Sequence, residues 1–108
     1  MSTAMFLAWS SPVSPEADAE FNDWYANTHV PQVKAAVPAV TTVRRFALLG
    51  SGESGPKRYL ACYELSDGDA ASAAQALNAA STGGKFDMTP TMDMSTAPPE
   101  IQFLEPVD

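Results

Sequence analysis

Apolar and polar positions along the chain follow two periods, and the switches between them mark out the elements. Residues 3–10, "TAMFLAWS", are a short apolar run of large side chains that stops at Ser10-Ser11-Pro12, which reads as a first strand. From Ser14 the period lengthens. Ala17, Phe21, Trp24, Tyr25 and Thr28 recur at three- and four-residue steps, while Glu16, Glu20, Asn22, Asp23 and Asn27 fall mostly elsewhere. Ser14 offers an N-cap, Pro15 a first-turn proline and Glu16 a carboxylate at the positive helix end, so a helix starts there with one buried face. Pro31 disfavours helical geometry at Val30, so the helix is expected to end or kink near His29, with Pro38 closing the short segment that follows.

Residues 40–49, "VTTVRRFALL", are dense in β-branched side chains and read as a second strand. The turn chemistry of "GSGESGP" links them to a third, residues 57–65, as a long hairpin. Capping side chains in "SDGD" then precede Ala70, Ala73, Ala74 and Leu77, spaced i, i+3, i+4 and i+7, which predicts a second helix. Residues 87–99 carry too many breakers for a regular element, and "EIQFLEPV" supplies a fourth strand. The order β-α-β-β-α-β specifies an α+β domain over residues 1–108, with a four-stranded antiparallel sheet and both helices on one face, the ferredoxin-like arrangement. Two helices cover one side of such a sheet, so its other face calls for a second copy, and a homodimer is expected.

Composition narrows the possible partners. Thirteen acidic and six basic residues give a net charge of −7, a field that repels nucleic-acid backbones and anionic lipid surfaces. The 45% hydrophobic content is that of a chain able to bury a core. No apolar run is long enough to span a bilayer, and residues 1–9 lack the basic start and cleavage signal of a secretory peptide, which reads as a cytoplasmic protein with neither nucleic-acid nor membrane partners. Cys62 stands alone, without the spacing of a redox or zinc motif.

The chemistry-bearing residues are few. His29 is the only histidine. Counted at ~100° per residue from Phe21, it falls about 80° away, at the rim of the buried stripe beside Tyr25. An imidazole there either exchanges protons in a pocket or merely satisfies a carbonyl at a helix end. Trp24 and Tyr25 are core rings or a platform for a planar ligand. Tyr59 and Tyr63 share one strand face, able to reach the same pocket if that face looks at the first helix; Arg58, Leu60, Cys62 and Glu64 share the other. Arg44 and Arg45 point to opposite faces, so one of them meets either the pocket or the subunit interface, where a buried guanidinium needs an anionic partner. Met88, Met92 and Met94 have a spacing that Cu(I) could use, although adaptable packing accounts for them as well. The alanine-rich second helix either lies close to the sheet or leaves a cavity beneath it. No phosphate loop, serine elbow or carboxylate pair suggests other chemistry.

Residues 20–46, "EFNDWYANTHVPQVKAAVPAVTTVRRF", resemble the EthD-like family of the dimeric α+β barrel superfamily. Phe21, Trp24, Tyr25, His29, Pro31, Pro38, Arg44 and Arg45 carry the likeness, and Pro38-Ala39 stands where the family commonly has Pro-Gly. The resemblance implies a homodimer whose sheets close into a barrel, with a cavity between helices and sheet in each subunit. Related barrels include cofactor-free oxygenases, polyketide cyclases and decarboxylases of phenolic compounds as well as haem-binding members, and the leading reading is a cofactor-free enzyme acting on a small apolar, aromatic or polyketide-like substrate. In that setting His29 is the acid or base, and Tyr59 or Tyr63 orients substrate or holds an oxyanion. Phe21, Trp24, Tyr25, Thr28 and Arg45 line the cavity. The other readings are a non-catalytic binding or accessory protein of a catabolic or biosynthetic pathway and a barrel in which His29 ligates haem.

Overall fold

The computed structural model describes residues 3–53 and 55–107. Strands β1 (Met5–Ser10), β2 (Val40–Ala47), β3 (Tyr59–Leu65) and β4 (Glu100–Leu104) form one antiparallel sheet in the order β2-β3-β1-β4, the ferredoxin-like topology expected from the sequence. Every strand is shorter than its apolar run. Beyond Ala47 one more cross-hairpin bond forms, from the Leu48 N–H to the Arg58 carbonyl at 2.8 Å, and then Gly50 and Gly52 turn the chain at φ values of 87° and 89° that side chains resist. Residues 87–99 are irregular as expected, with a single bridge between Pro12 and Met92.

The first helix departs from expectation at Pro31. A tight turn, Pro15–Ala17, capped by the Ser14 hydroxyl accepting from the Ala17 N–H at 3.3 Å, leads into α1 (Asp18–Trp24). The regular helix is interrupted up to His29, near where an end or kink was expected, but the chain stays helical through Val30 and Pro31. Residues Tyr25–His29 widen into one turn in which the Val30 N–H bonds the Tyr25 carbonyl, five residues back, and α2 (Val30–Ala36) then continues. The widened turn shifts the hydrogen-bond ladder just before Pro31, which lacks an N–H and enters as the second residue of α2, where none is needed. Helix α3 (Ala70–Thr82) is capped by Asp69, whose side chain accepts from the Ser72 N–H at 3.0 Å.

Alternation along the strands decides what lies under the helices. Register places Phe6 opposite both Tyr63 and Phe103, Ala8 opposite Ala61, and Val43 opposite Tyr63, all on the helix-facing side. There Phe6 stacks on Tyr63 with centroids 4.4 Å apart, and Phe21, Tyr25, Val33, Val37 and Leu65 complete the core. Ala70, Ala73, Leu77 and Ala80 are the buried face of α3; their small size lets that helix lie close to the sheet, and a groove of about 500 Å³ opens between α2 and α3, lined by Ala36, Ala76 and Ala80 among others. The other face presents Met5, Leu7, Trp9, Phe46, Leu60, Cys62 and Leu104, with Arg44, Glu64 and Gln102 among them, and Phe46 is 50% exposed. Among the described residues no helix is long and apolar enough to cross a membrane.

Candidate functional site

Polar side chains are concentrated where the core is most aromatic. Arg45 projects from β2 to the helix side of the sheet, and Arg44 to the open side, which settles the direction that the sequence left undecided. The Arg45 guanidinium lies 4.4 Å from the centre of the Tyr25 ring and 5.5 Å from that of Tyr59, and one of its terminal nitrogens donates to the Asn22 side-chain oxygen at 2.8 Å. Its Nε is buried without a hydrogen-bond partner among the described residues. Burial pulls the guanidinium below its usual pKa, against the opposing influence of Tyr25, Tyr63, Tyr59 and Asp18. Two aromatic faces and one amide therefore border a half-buried cation whose nearest carboxylate influence is Asp18.

The phenols of Tyr25 and Tyr63 are joined oxygen to oxygen at 3.1 Å inside this cluster. One hydroxyl donates and the other accepts, so the accepting hydroxyl keeps a hydrogen free for a further acceptor. Burial holds both phenols above their normal range, Tyr63 far above it, with the neighbouring Tyr25 adding to the effect. Neither is a source of phenolate near neutral pH; both are hydrogen-bonding groups.

His29 occupies the widened turn. Its ring stacks on Trp24 at 4.8 Å and meets the edges of Tyr25 at 4.9 Å and Phe86 at 5.4 Å. Nδ1 is buried and has no hydrogen-bond partner among the described residues. The packed rings, with a smaller push from the Arg45 charge, lower its pKa from 6.5 to about 4. The imidazole is thus neutral at physiological pH, and among the described residues no main-chain carbonyl accepts from its Nδ1. Over it lies the segment after α3: the Trp24 Nε1–H donates to the Asp87 carbonyl at 2.8 Å, while the Gln32 amide donates to the Asp87 carboxylate and accepts from the Asp87 N–H, both at 2.8 Å. Phe86 and Asp87 belong to a stretch with no periodic pattern, and nothing in the sequence ties it to residues more than fifty positions earlier.

The residues expected to share a pocket do not all meet. Tyr25, Tyr63 and Arg45 converge, and Tyr25 also touches His29. Phe21 is fully buried against Trp24, Tyr25 and Tyr59, so it backs the cluster and cannot line a cavity. Thr28 is half-buried in the widened turn. Tyr59 turns toward the first helix, where its hydroxyl donates to Asp18 at 2.5 Å, and burial together with that bond raises its pKa. It borders a cleft of about 510 Å³ that Asp18 and Lys57 also line and that does not reach His29. Met92 packs in the core while Met88 and Met94 stand exposed, so the three thioethers are divided between interior and surface. Among the described residues no group of three or more histidine, cysteine, aspartate or glutamate side chains is placed to hold a metal ion.

No family model matches the sequence, and no curated protein sequence matches it either. Solved structures do. An ethyl tert-butyl ether D (EthD) family protein from Bacillus halodurans aligns at a TM-score of 0.58 and 20% identity, over 98% of this chain and 100% of that one. An EthD-like protein from Ralstonia eutropha aligns at 0.58 and 16% identity, over 100% and 96% of the two chains. A dimeric ferredoxin-like protein from an uncultured marine organism reaches 0.64 at 15% identity, over 98% and 96%. The likeness spans the whole domain, well beyond the stretch of residues 20–46 on which the sequence resemblance rests. The chain has the ferredoxin-like fold of these EthD-like proteins.

Proposed function

We propose that the protein is a small, cofactor-free acid–base enzyme acting on an aromatic or polyketide-like compound that carries an enolisable carbonyl. The observation that carries this reading is the half-buried Arg45 guanidinium, faced by two rings and an amide, whose buried Nε has no hydrogen-bond partner among the described residues. A substrate oxygen that gains negative charge would supply the missing anion, and the free hydrogen of the Tyr25–Tyr63 pair would meet the same oxygen. Neutral His29 then takes the proton from the carbon beside the carbonyl. The enolate so formed attacks a second carbonyl in cyclisation or is oxidised by dioxygen in oxygenation; in decarboxylation the same enolate arises as CO2 leaves and takes its proton from solvent. Substrate reaches the imidazole by displacing Phe86 and Asp87 from above it.

Exchange of the methyl protons of ortho-hydroxyacetophenone in heavy water, followed by NMR, tests the reading without knowledge of the natural product. Wild-type protein should accelerate exchange, and His29→Gln should lose at least ~10²-fold of that acceleration with an unchanged melting curve. Equal exchange by the variant contradicts the role given to His29.

One observation favours a second reading. A pKa of about 4 makes His29 a weak base at neutral pH, and the ring is covered, which suits a protein that holds an aromatic ligand and transforms nothing. Heat stabilisation by ortho-hydroxyacetophenone without proton exchange would favour this alternative.

Both readings share one assembly. The apolar face of Met5, Leu7, Trp9, Phe46 and Leu60 is supported as a homodimer interface by its composition and by the dimeric ferredoxin-like neighbours.

A further inference from the structure

The cleft of about 510 Å³ is separate from the His29 cluster and is built from three connections: the turn into α1, the hairpin between β2 and β3, and residues 93–96. Its size suits a one-ring ligand. Pro12, Val13 and Pro56 give it apolar walls, and Tyr59 closes its inner side. Three charged residues line it. Asp93 is already engaged, since its carboxylate accepts from the N–H groups of Ser95, Thr96 and Ala97 at 2.9, 3.0 and 3.1 Å. Asp18 has one oxygen bonded to Tyr59 at 2.5 Å and a second beside it. Lys57 is exposed and seated by its surroundings: a Cβ at Gly52, where φ is 89°, would come within 3.1 Å of the lysine Cδ, so the glycine lets the stem lie against the turn. A cation, a carboxylate acceptor and apolar walls thus bound one small space.

We propose that this cleft binds a small aromatic acid bearing a hydroxyl group, its carboxylate on Lys57, its hydroxyl donating to Asp18, and its ring between Tyr59 and the prolines. Charge complementarity selects this class. A simple hydrocarbon ring leaves Lys57 and Asp18 unsatisfied, and a cationic ligand meets the lysine. The site shares the Tyr59 wall and the Asp18 charge with the arrangement around Arg45, and it does not depend on the chemistry assigned there.

Isothermal titration calorimetry with para-hydroxybenzoate on the full chain tests it, with benzoate and phenol as truncated probes. Para-hydroxybenzoate should bind more tightly than either. Lys57→Ala should weaken it by about three- to fivefold, the worth of a partly exposed ion pair, and leave phenol unchanged. Asp18→Asn should weaken para-hydroxybenzoate and phenol by about tenfold while sparing benzoate. Val13→Trp, at a position 51% exposed, should block all three probes with folding intact. Absence of saturable binding to the wild type, wild-type affinity in both Lys57→Ala and Asp18→Asn, or full binding to Val13→Trp overturns the proposal. His29→Gln should keep this binding, so the outcome is independent of the proton-exchange test.

Discussion

Protonation of His29 is opposed by its surroundings, and in the upper part of the interval below pH 6.5, before the carboxylates of Asp69 and Asp93 contribute, acid should therefore act on this fold through that side chain. In the unfolded chain the imidazole titrates near 6.5; among Trp24, Tyr25 and Phe86, with the Arg45 charge nearby, it titrates at about 4. Above the upper value the ring is neutral in both states and stability is unaffected. As pH falls from 6.5 toward 4 the unfolded chain takes up the proton and the folded chain does not, so unfolding is favoured. At 1.36 kcal/mol per pH unit the loss reaches about 3 kcal/mol, a sizeable part of a small domain's stability. Because the histidine is unique, its imidazole resonance in an NMR titration belongs to it alone. That resonance should titrate near 4 in the folded protein. Urea unfolding, followed by tryptophan fluorescence at successive pH values over the same interval, should show the loss in wild type and its absence in His29→Leu. A folded-state midpoint near 6.5, or identical pH dependence in the two proteins, would refute the account of the packed imidazole.

The paired phenols should behave as a unit: Tyr25→Phe or Tyr63→Phe each leaves one buried hydroxyl without its mate and should cost about 1–3 kcal/mol in urea titrations, and the double variant should cost less than the sum. Phe21→Ala empties a fully buried position among three rings and should destabilise by about 3–5 kcal/mol on the same scale. Phe46→Glu, on the half-exposed apolar face, should shift sedimentation from dimer to monomer with no change in the monomer's circular dichroism. Gln32→Ala removes both side-chain bonds to Asp87 and should speed hydrogen exchange of the Asp87 N–H while α2 stays protected.

Element order was legible because each switch in period coincided with a breaker or a cap. Ser14, Pro15 and Asp69 stand at helix starts, and the glycines of residues 50–55 stand between β2 and β3. Strand alternation also gave the faces correctly, with Tyr59 and Tyr63 on one side and Cys62 and Glu64 on the other. It could not say which of Arg44 and Arg45 turned inward, since that depends on the pairing of Val43 with Tyr63 across the sheet. Pro31 misled for a local reason: the rule that proline breaks helices holds for a regular ladder, and the widened turn at Tyr25–His29 has already shifted it. Least legible were the long-range contacts. Asp18 on Tyr59 and Phe86 over His29 join residues far apart in sequence, and neither lies in a motif. The histidine was found from its rarity and position; its acid-shifted, covered state needed the tertiary neighbours.

The central claim of the proposed function is that the half-buried Arg45 guanidinium, against the rings of Tyr25 and Tyr59, stabilises negative charge on a ligand oxygen. Para-nitrophenol reports this directly, since its ionisation is visible and its anion is the species that the guanidinium should favour. Dye bound to wild-type protein should ionise about one pH unit below free dye, and Arg45→Gln should abolish that displacement while its fold is retained by circular dichroism. Bound dye that ionises as it does in water, or a displacement that survives in Arg45→Gln, contradicts the claim.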